Sequence, residues 1–293
     1  MAESIELLTY INGRIMPHSQ ASPMLQRINA TSIGGFYDAE RTFGGKVFKL
    51  RSHLERMYRG LDASRIDPRL SIEELERITL GVIEANLPLL PEGHEFTVTQ
   101  VVNQSQRQSP DDLGTINVVV YCQPLDFTRF ARDYLDGVRI VTPNTYGVPP
   151  GQEPGDSKQG GQQVFLLMAS PNGGVSECEG ANFMFVKDGR IKLPDRRNVL
   201  PGVSMQTVLE LAESLNIPVD EGTYTQRDIY DADEAFVSST RYCMLPVATL
   251  NGYRLGQELP GPITRRMLDA WREIVGIDFV TQALDHFRTT ERS

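Results

Sequence analysis

The chain has 293 residues, room for two domains of ordinary size, and its 40% hydrophobic and 23% charged residues are those of a soluble globular protein. A formal net charge of −9 and a pI near 5.1, with basic residues scattered rather than interleaved with aromatics, argue against a nucleic-acid binder. No apolar run reaches transmembrane length, and the acidic, alternating start MAESIELLTYING is not that of a signal peptide, so a cytoplasmic protein with no membrane partner is expected.

The first segment with a clear period is 5–11, which alternates and ends at Asn12-Gly13, a hairpin signal. Residues 46–50 (KVFKL) read as a strand after the Gly44-Gly45 turn, and a helix follows through His53, Leu54, Met57 and Leu61. Ser71 with Glu74 forms a capping box ahead of the stripe Ile72, Leu75, Ile78, Val82 and Ile83. Strands at 96–102 (FTVTQVV) and 115–121 (TINVVVY) complete a first domain, 1–124, expected as a mixed sheet with two helices. Residues 125–137 carry no clear period and are expected as a linker.

The second domain, 138–293, is richer in short strands: 138–142, 164–169, 182–186, 191–193 and 235–238. Asp188-Gly189 and Asn251-Gly252 mark hairpin turns. Its clearest helix starts near Ser204, with Met205, Val208, Leu209, Ala212 and Leu215 at helical spacing and Pro218 beyond its end. A last helix is expected over 262–275. The segment 147–161 (GVPPGQEPGDSKQGG) is the most Pro/Gly-rich of the chain. The fold class is therefore α/β, of the mixed α+β kind.

Some chemistry is bounded by residue counts. Cys122, Cys178 and Cys243 are far apart and odd in number, as buried free thiols in a reducing compartment are. The four histidines, His18, His53, His94 and His286, show no metal-ligand spacing, so no metal site is expected. Only five residues are lysines, Lys46, Lys49, Lys158, Lys187 and Lys192, and a lysine-dependent reaction has few candidates.

The densest chemistry lies in Gly174–Ser204, GVSECEGANFMFVKDGRIKLPDRRNVLPGVS. It places the carboxylate of Glu177 just before an apolar strand, turns, and delivers Pro201-Gly202-Val203-Ser204 to a helix start. Gly202 permits close backbone approach, and the Val203 and Ser204 amides belong to the unpaired first turn. A carboxylate facing a helix N-terminus suits a ligand cationic at one end and anionic at the other, such as a pyridine ring with a phosphate arm. Ser239 and Thr240 end an apolar strand and offer further donors, and Arg56, one turn past His53 in HLER, offers a guanidinium.

In order, these segments resemble the class IV aminotransferases, the fold-type IV pyridoxal phosphate enzymes. That family includes branched-chain and D-amino-acid aminotransferases and aminodeoxychorismate lyase. The opening INGRIMP, the block GGFYDAERTFGGKVFKLRSHLERM, the long GGVSECEGANFMFVKDGRIKLPDRRNVLPGVS and DADEAFVSSTRYCMLPVATLNG carry the resemblance nearly end to end. It implies a small α/β domain and a larger domain with a β-barrel-like core. It implies pyridoxal 5′-phosphate as cofactor, an amino acid and a 2-keto acid as substrates, and a homodimer. Arg56 resembles the phosphate-binding arginine, and Glu177 the partner of the pyridine nitrogen. Leu200 resembles the leucine packed on one ring face, and Val203, Ser204, Ser239 and Thr240 resemble phosphate-binding positions. Lys158 resembles the Schiff-base lysine.

The lysine region departs from that pattern. In the family a helix follows the lysine before a strand leads to the glutamate. Here Gln159-Gly160-Gly161 leads straight into QQVFLLMAS, and Lys158 and Glu177 are nineteen positions apart. Three readings follow: Lys158 is the Schiff-base lysine behind a shortcut turn, the functional lysine went with the helix, or a segment of the natural chain is missing from this sequence. The strand FTVTQVVNQSQ also lacks the arginine that some members use for a second carboxylate, which leaves Arg241 and Tyr242 as candidate substrate contacts. The expected activity is amino-group transfer between a small amino acid and a keto acid. The alternatives are a degenerate scaffold that binds a ligand or works without the cofactor, and an aminodeoxychorismate-lyase-like elimination.

Overall fold

The computed structural model describes residues 5–106, 115–143 and 162–291, and the chain separates into two units, Met1–Leu125 and Asp126–Ser293. In the first unit, β1 (Leu8–Ile11) and β2 (Arg14–Pro17) meet at Asn12-Gly13, whose φ values of 48° and 92° are the left-handed pair that a type I′ turn needs. Helix α1 (His18–Thr31) follows, then β3 (Ser32–Phe43), β4 (Lys46–Val47), α2 (Leu50–Ala63), α3 (Ile72–Asn86), β5 (Phe96–Ser105) and β6 (Ile116–Pro124). The strand order is β2-β1-β6-β5-β3-β4. The sheet expected to be mixed is antiparallel in every pairing. Helices α2 and α3 bury Leu54, Met57, Leu61, Leu75 and Val82 with Phe96, Val98 and Val120 of the sheet.

One local expectation changes, and two elements appear that no expectation covered. The strand expected over 46–50 shrinks to Lys46–Val47, because Lys49 takes a left-handed φ of 50° and α2 begins at Leu50. Helix α1 has no strong apolar stripe in its sequence and contains Pro23, so nothing in its period announces it. Strand β3 is twelve residues long although Gly34-Gly35 lie near its start. The Gly35 position is tight, since a Cβ there would collide with the Val102 carbonyl and Asn103 of β5.

In the second unit, the stretch expected as a linker holds a 3₁₀ turn at Phe127–Arg129 and α4 (Asp133–Asp136), with Phe127, Phe130, Ala131 and Tyr134 buried. After it come β7 (Val138–Val141), β8 (Val164–Ala169), β9 (Val175–Cys178), β10 (Asn182–Lys187) and β11 (Arg190–Pro194). Helix α5 (Val203–Ser214), β12 (Val219–Gly222), α6 (Gln226–Tyr230), β13 (Glu234–Ser239), β14 (Cys243–Leu250) and β15 (Tyr253–Arg254) follow. The chain then forms α7 (Pro262–Val275) and α8 (Phe279–Glu291). The last helix expected, 262–275, is thus followed by another, set off by Gly276 at a φ of 70°.

The strand order is β12-β11-β10-β13-β14-β7-β8-β9, with β15 paired to β14. β9 stands at the end of this order yet lies against β10 and β11, and a Cys178–Ala181 bridge ties it to the residue ahead of β10. The sheet therefore curls back on itself, as the barrel-like core expected of the larger domain does. That curl brings Glu177 of β9 to the start of α5.

Candidate active site

Glu177 is half-buried, and its Oε2 accepts two bonds of 2.9 Å, from Asn182 Nδ2 and from the Leu200 N–H. Its Oε1 has no partner among the described residues. Asn182 Nδ2 also donates to the Leu200 carbonyl at 2.9 Å. One side chain thus ties the carboxylate of β9 to the Leu200-Pro201-Gly202 turn. Burial pushes the Glu177 pKa above its ordinary value, and the Leu200 N–H bond opposes that rise. A carboxylate held by one oxygen with the other presented suits a cationic N–H partner, which would restore the ionised form.

The turn ends at Gly202, the N-cap of α5, which no side chain caps. A Cβ at Gly202 would collide with Asn182 Oδ1, so glycine is required by the Asn182 latch as well as by backbone approach. Val203 and Ser204 open the helix with buried side chains, and the first-turn amides give its end positive character. Leu200 is 55% exposed, an apolar side chain available to pack on a ligand.

The hairpin between β13 and β14 lies next to this turn in register, since Asn182 pairs with Ser238. Ser239 and Thr240 are half-buried at its tip, Arg241 is exposed, and Cys243 closes it at a φ of 62°. Ser238 is buried and its Oγ has no partner among the described residues. Tyr242, expected as a substrate contact beside Arg241, points into the core instead. It is buried against Phe130 and Phe165, and burial raises its pKa above the ordinary range.

Arg56 belongs to the first unit, on α2 one turn past His53. Strand β3 turns Asp38 and Glu40 to one face and leaves Tyr37 exposed on the other. Arg56 Nε donates to Asp38 Oδ2 at 2.8 Å and its Nη2 to Oδ1 at 2.5 Å, while His53 Nδ1 donates to Oδ1 at 2.8 Å. Burial acts to raise the Asp38 pKa, but the hydrogen bonds and charges of His53 and Arg56 outweigh it and hold the group below its ordinary value. Glu40 is fully buried and accepts from Gln100 Nε2, and burial, with repulsion from Asp38, pushes its pKa well above normal. Asp38, Glu40 and His53 offer ligand atoms within 4.8 Å of one another. Asp38 already accepts from His53, Arg56 and the Ala39 N–H, so Arg56 supplies the positive charge that a metal ion would.

Lys158 lies outside the described residues. Lys46 and Lys49 flank the short β4 hairpin, Lys187 pairs with Asp233, and Lys192 pairs with Asp220 at 2.7 Å. Five residues, 159–163, separate Lys158 from Val164 at the start of β8, and the last two are fixed. Gln163 donates to both oxygens of Asp133, and Gln162 Nε2 to the Asp136 carbonyl at 2.5 Å.

Asn182, Asp38 and Gln163 carry no motif of their own and were not among the expected site residues. Asn182 was visible inside the signature block, but only the curl of the sheet shows that its amide bridges two segments.

Two sheets in this order, with a carboxylate latched to an uncapped helix start, define the fold-type IV architecture. The crystal structure of a branched-chain amino acid aminotransferase from Thermobaculum terrenum in its PLP form superposes with a TM-score of 0.77 at 22% identity, over 98% of each chain. Residues 157–250 match the model of the amino-transferase class IV family. Over 251 residues the chain is 26% identical to the branched-chain-amino-acid aminotransferase of Salmonella typhimurium, covering 80% of each. Over 269 residues it is 26% identical to the D-alanine aminotransferase of Listeria monocytogenes, covering 88% of this chain and 92% of that one. The matched region is that of the class IV aminotransferases, and these two relatives are named as aminotransferases of branched-chain amino acids and of D-alanine. Among the described residues no helix is long and apolar enough to cross a membrane.

Proposed function

We propose that this aminotransferase works with pyridoxal 5′-phosphate, with Glu177 as partner of the pyridine nitrogen and Lys158 as the lysine joined to the cofactor. The observation that carries the reading is the Glu177 latch: Oε2 is committed to Asn182 and Leu200, and Oε1 is left to a ligand. The bound cofactor would act as an electron sink for a substrate carbanion, and that needs a protonated ring nitrogen. Ionised Glu177 supplies the matching charge. In this reading the α5 amides with Ser239 and Thr240 would hold phosphate and Leu200 would offer an apolar surface to the ring, while Arg56 of the first unit is, by its resemblance, a phosphate-binding arginine. Arg241 is the substrate-carboxylate contact, whereas Tyr242 supports the hairpin from the core. The Lys158 amine would hold and move the proton of the transfer step.

The substrates are a small amino acid and a 2-keto acid. The strand FTVTQVVNQSQ has no arginine for a second carboxylate, which favours amino donors with one carboxylate. The resemblance supports a cytoplasmic homodimer as the working form. Incubating the full chain with the cofactor, a panel of L- and D-amino acids and a keto acid, and following keto-acid formation, tests the reading. Transfer from at least one donor is expected, and pyruvate release without transfer would favour the elimination instead.

A further inference from the structure

Arg56 is held before any ligand arrives. Its guanidinium gives Nε and Nη2 to Asp38, and its side chain is 19% exposed while those of Asp38 and His53 are each 3% exposed. Two parallel bonds to one carboxylate fix the plane of the guanidinium. Nη1 has no partner among the described residues, and it is the nitrogen left for a ligand. An arginine side chain carries about 2 kcal/mol of rotamer entropy, and here most of it is lost on folding rather than on binding.

We infer that Asp38 and His53 are positioning residues that hold the Arg56 guanidinium in a fixed plane with Nη1 left to bind a phosphate group. This rests on the phosphate-binding reading of Arg56. His53 adds a third donor to Asp38 and keeps that carboxylate from following the arginine outward. Asp38 also lowers the charge seen by an anion, so its net effect needs weighing. Without it, Glu40 is the next carboxylate on the same face of β3 and lies close enough to interact with Arg56. Glu40 is then expected to ionise and draw the guanidinium inward, so that loss of Asp38 removes the orientation without freeing the charge.

The test compares pyridoxine 5′-phosphate with pyridoxine, neither of which has an aldehyde, so the readout does not depend on Lys158. The preference for the phosphate ester is measured by equilibrium dialysis on the full chain for wild type, Arg56→Ala, Asp38→Asn and His53→Asn. Thermal unfolding of each variant checks that it is folded. Arg56→Ala is expected to abolish most of the preference and Asp38→Asn to lower it about tenfold or more, with His53→Asn intermediate. A fold defect alone would weaken both ligands equally and leave the ratio unchanged. If Arg56→Ala keeps the preference, the phosphate reading fails and the inference with it. If Arg56→Ala loses it while Asp38→Asn keeps or strengthens it, the positioning role alone is overturned. If Asp38→Asn does not fold, His53→Asn decides, and an unchanged ratio there overturns the role.

Discussion

Asp133 ties α4 to the entry of β8, and its titration is predicted to set a measurable part of the pH dependence of stability. The residue is 2% exposed, and its carboxyl accepts from the Gln163 N–H at 3.3 Å and from Gln163 Nε2 at 2.7 Å. Burial, helped by Asp136, pushes its pKa from the ordinary 3.8 up to about 6, against the pull of the Gln163 bonds and of Arg132. At about 1.36 kcal/mol per pK unit, that difference is worth about 3 kcal/mol. The folded state holds the proton more tightly than the unfolded chain. The contribution is therefore fully present below about pH 4 and is lost as pH rises through about 6. Roughly 1.4 kcal/mol of it falls between about pH 5 and about pH 7.5. Asp133→Asn cannot ionise, and a turned Gln163 amide keeps both contacts. In urea unfolding, the stability of the variant relative to wild type is expected to rise by roughly 1.4 kcal/mol from about pH 5 to about pH 7.5. Shared titrations cancel in this difference. A difference that is the same at both pH values, or that shrinks as pH rises, refutes the reasoning.

The remaining predictions concern the Glu177 latch. Glu177→Gln removes the charge facing the pyridine nitrogen, and a neighbouring opposite charge shifts a pKa by about 1–3 units, so the transfer rate is expected to fall about 10- to 1000-fold in steady-state assays. An unchanged rate would show that the ring nitrogen has another partner. Gly202→Ala drives a Cβ into Asn182 Oδ1 and is expected to cost about 1–3 kcal/mol in chemical unfolding and to weaken cofactor binding in titrations. Wild-type stability and affinity in that variant would show the turn to be looser than its geometry.

Where chemistry is local, the sequence was legible. Asn12-Gly13, Asp188-Gly189 and Asn251-Gly252 each sit in left-handed turns between paired strands, and Ser71 and Glu74 form the reciprocal capping box. Glu177 and Gly202 were legible for the same reason, since each lies in a short segment whose residue order is itself the signal. What escaped depends on contacts between distant segments. Asp38 reaches Arg56 eighteen positions away, and Asp133 reaches Gln163 thirty positions away, across pairings that no periodicity records. Helix α1 escaped because its polar and small residues give no stripe, and α8 because Gly276 reads as an end rather than a joint. The burial of Tyr242, expected as a substrate contact, was not legible either, since it comes from packing against Phe130 and Phe165 of distant segments.

The central claim is that this fold still performs cofactor chemistry through Lys158, although only five residues join that lysine to β8. The direct measurement is the absorbance spectrum of the full chain after reconstitution with pyridoxal 5′-phosphate and removal of the free cofactor, for wild type and Lys158→Ala. A band of lysine-bound cofactor in wild type that bleaches on adding an amino donor, and that is missing from Lys158→Ala, is the result predicted. A wild-type spectrum with no such band, or one that survives in Lys158→Ala, would contradict it.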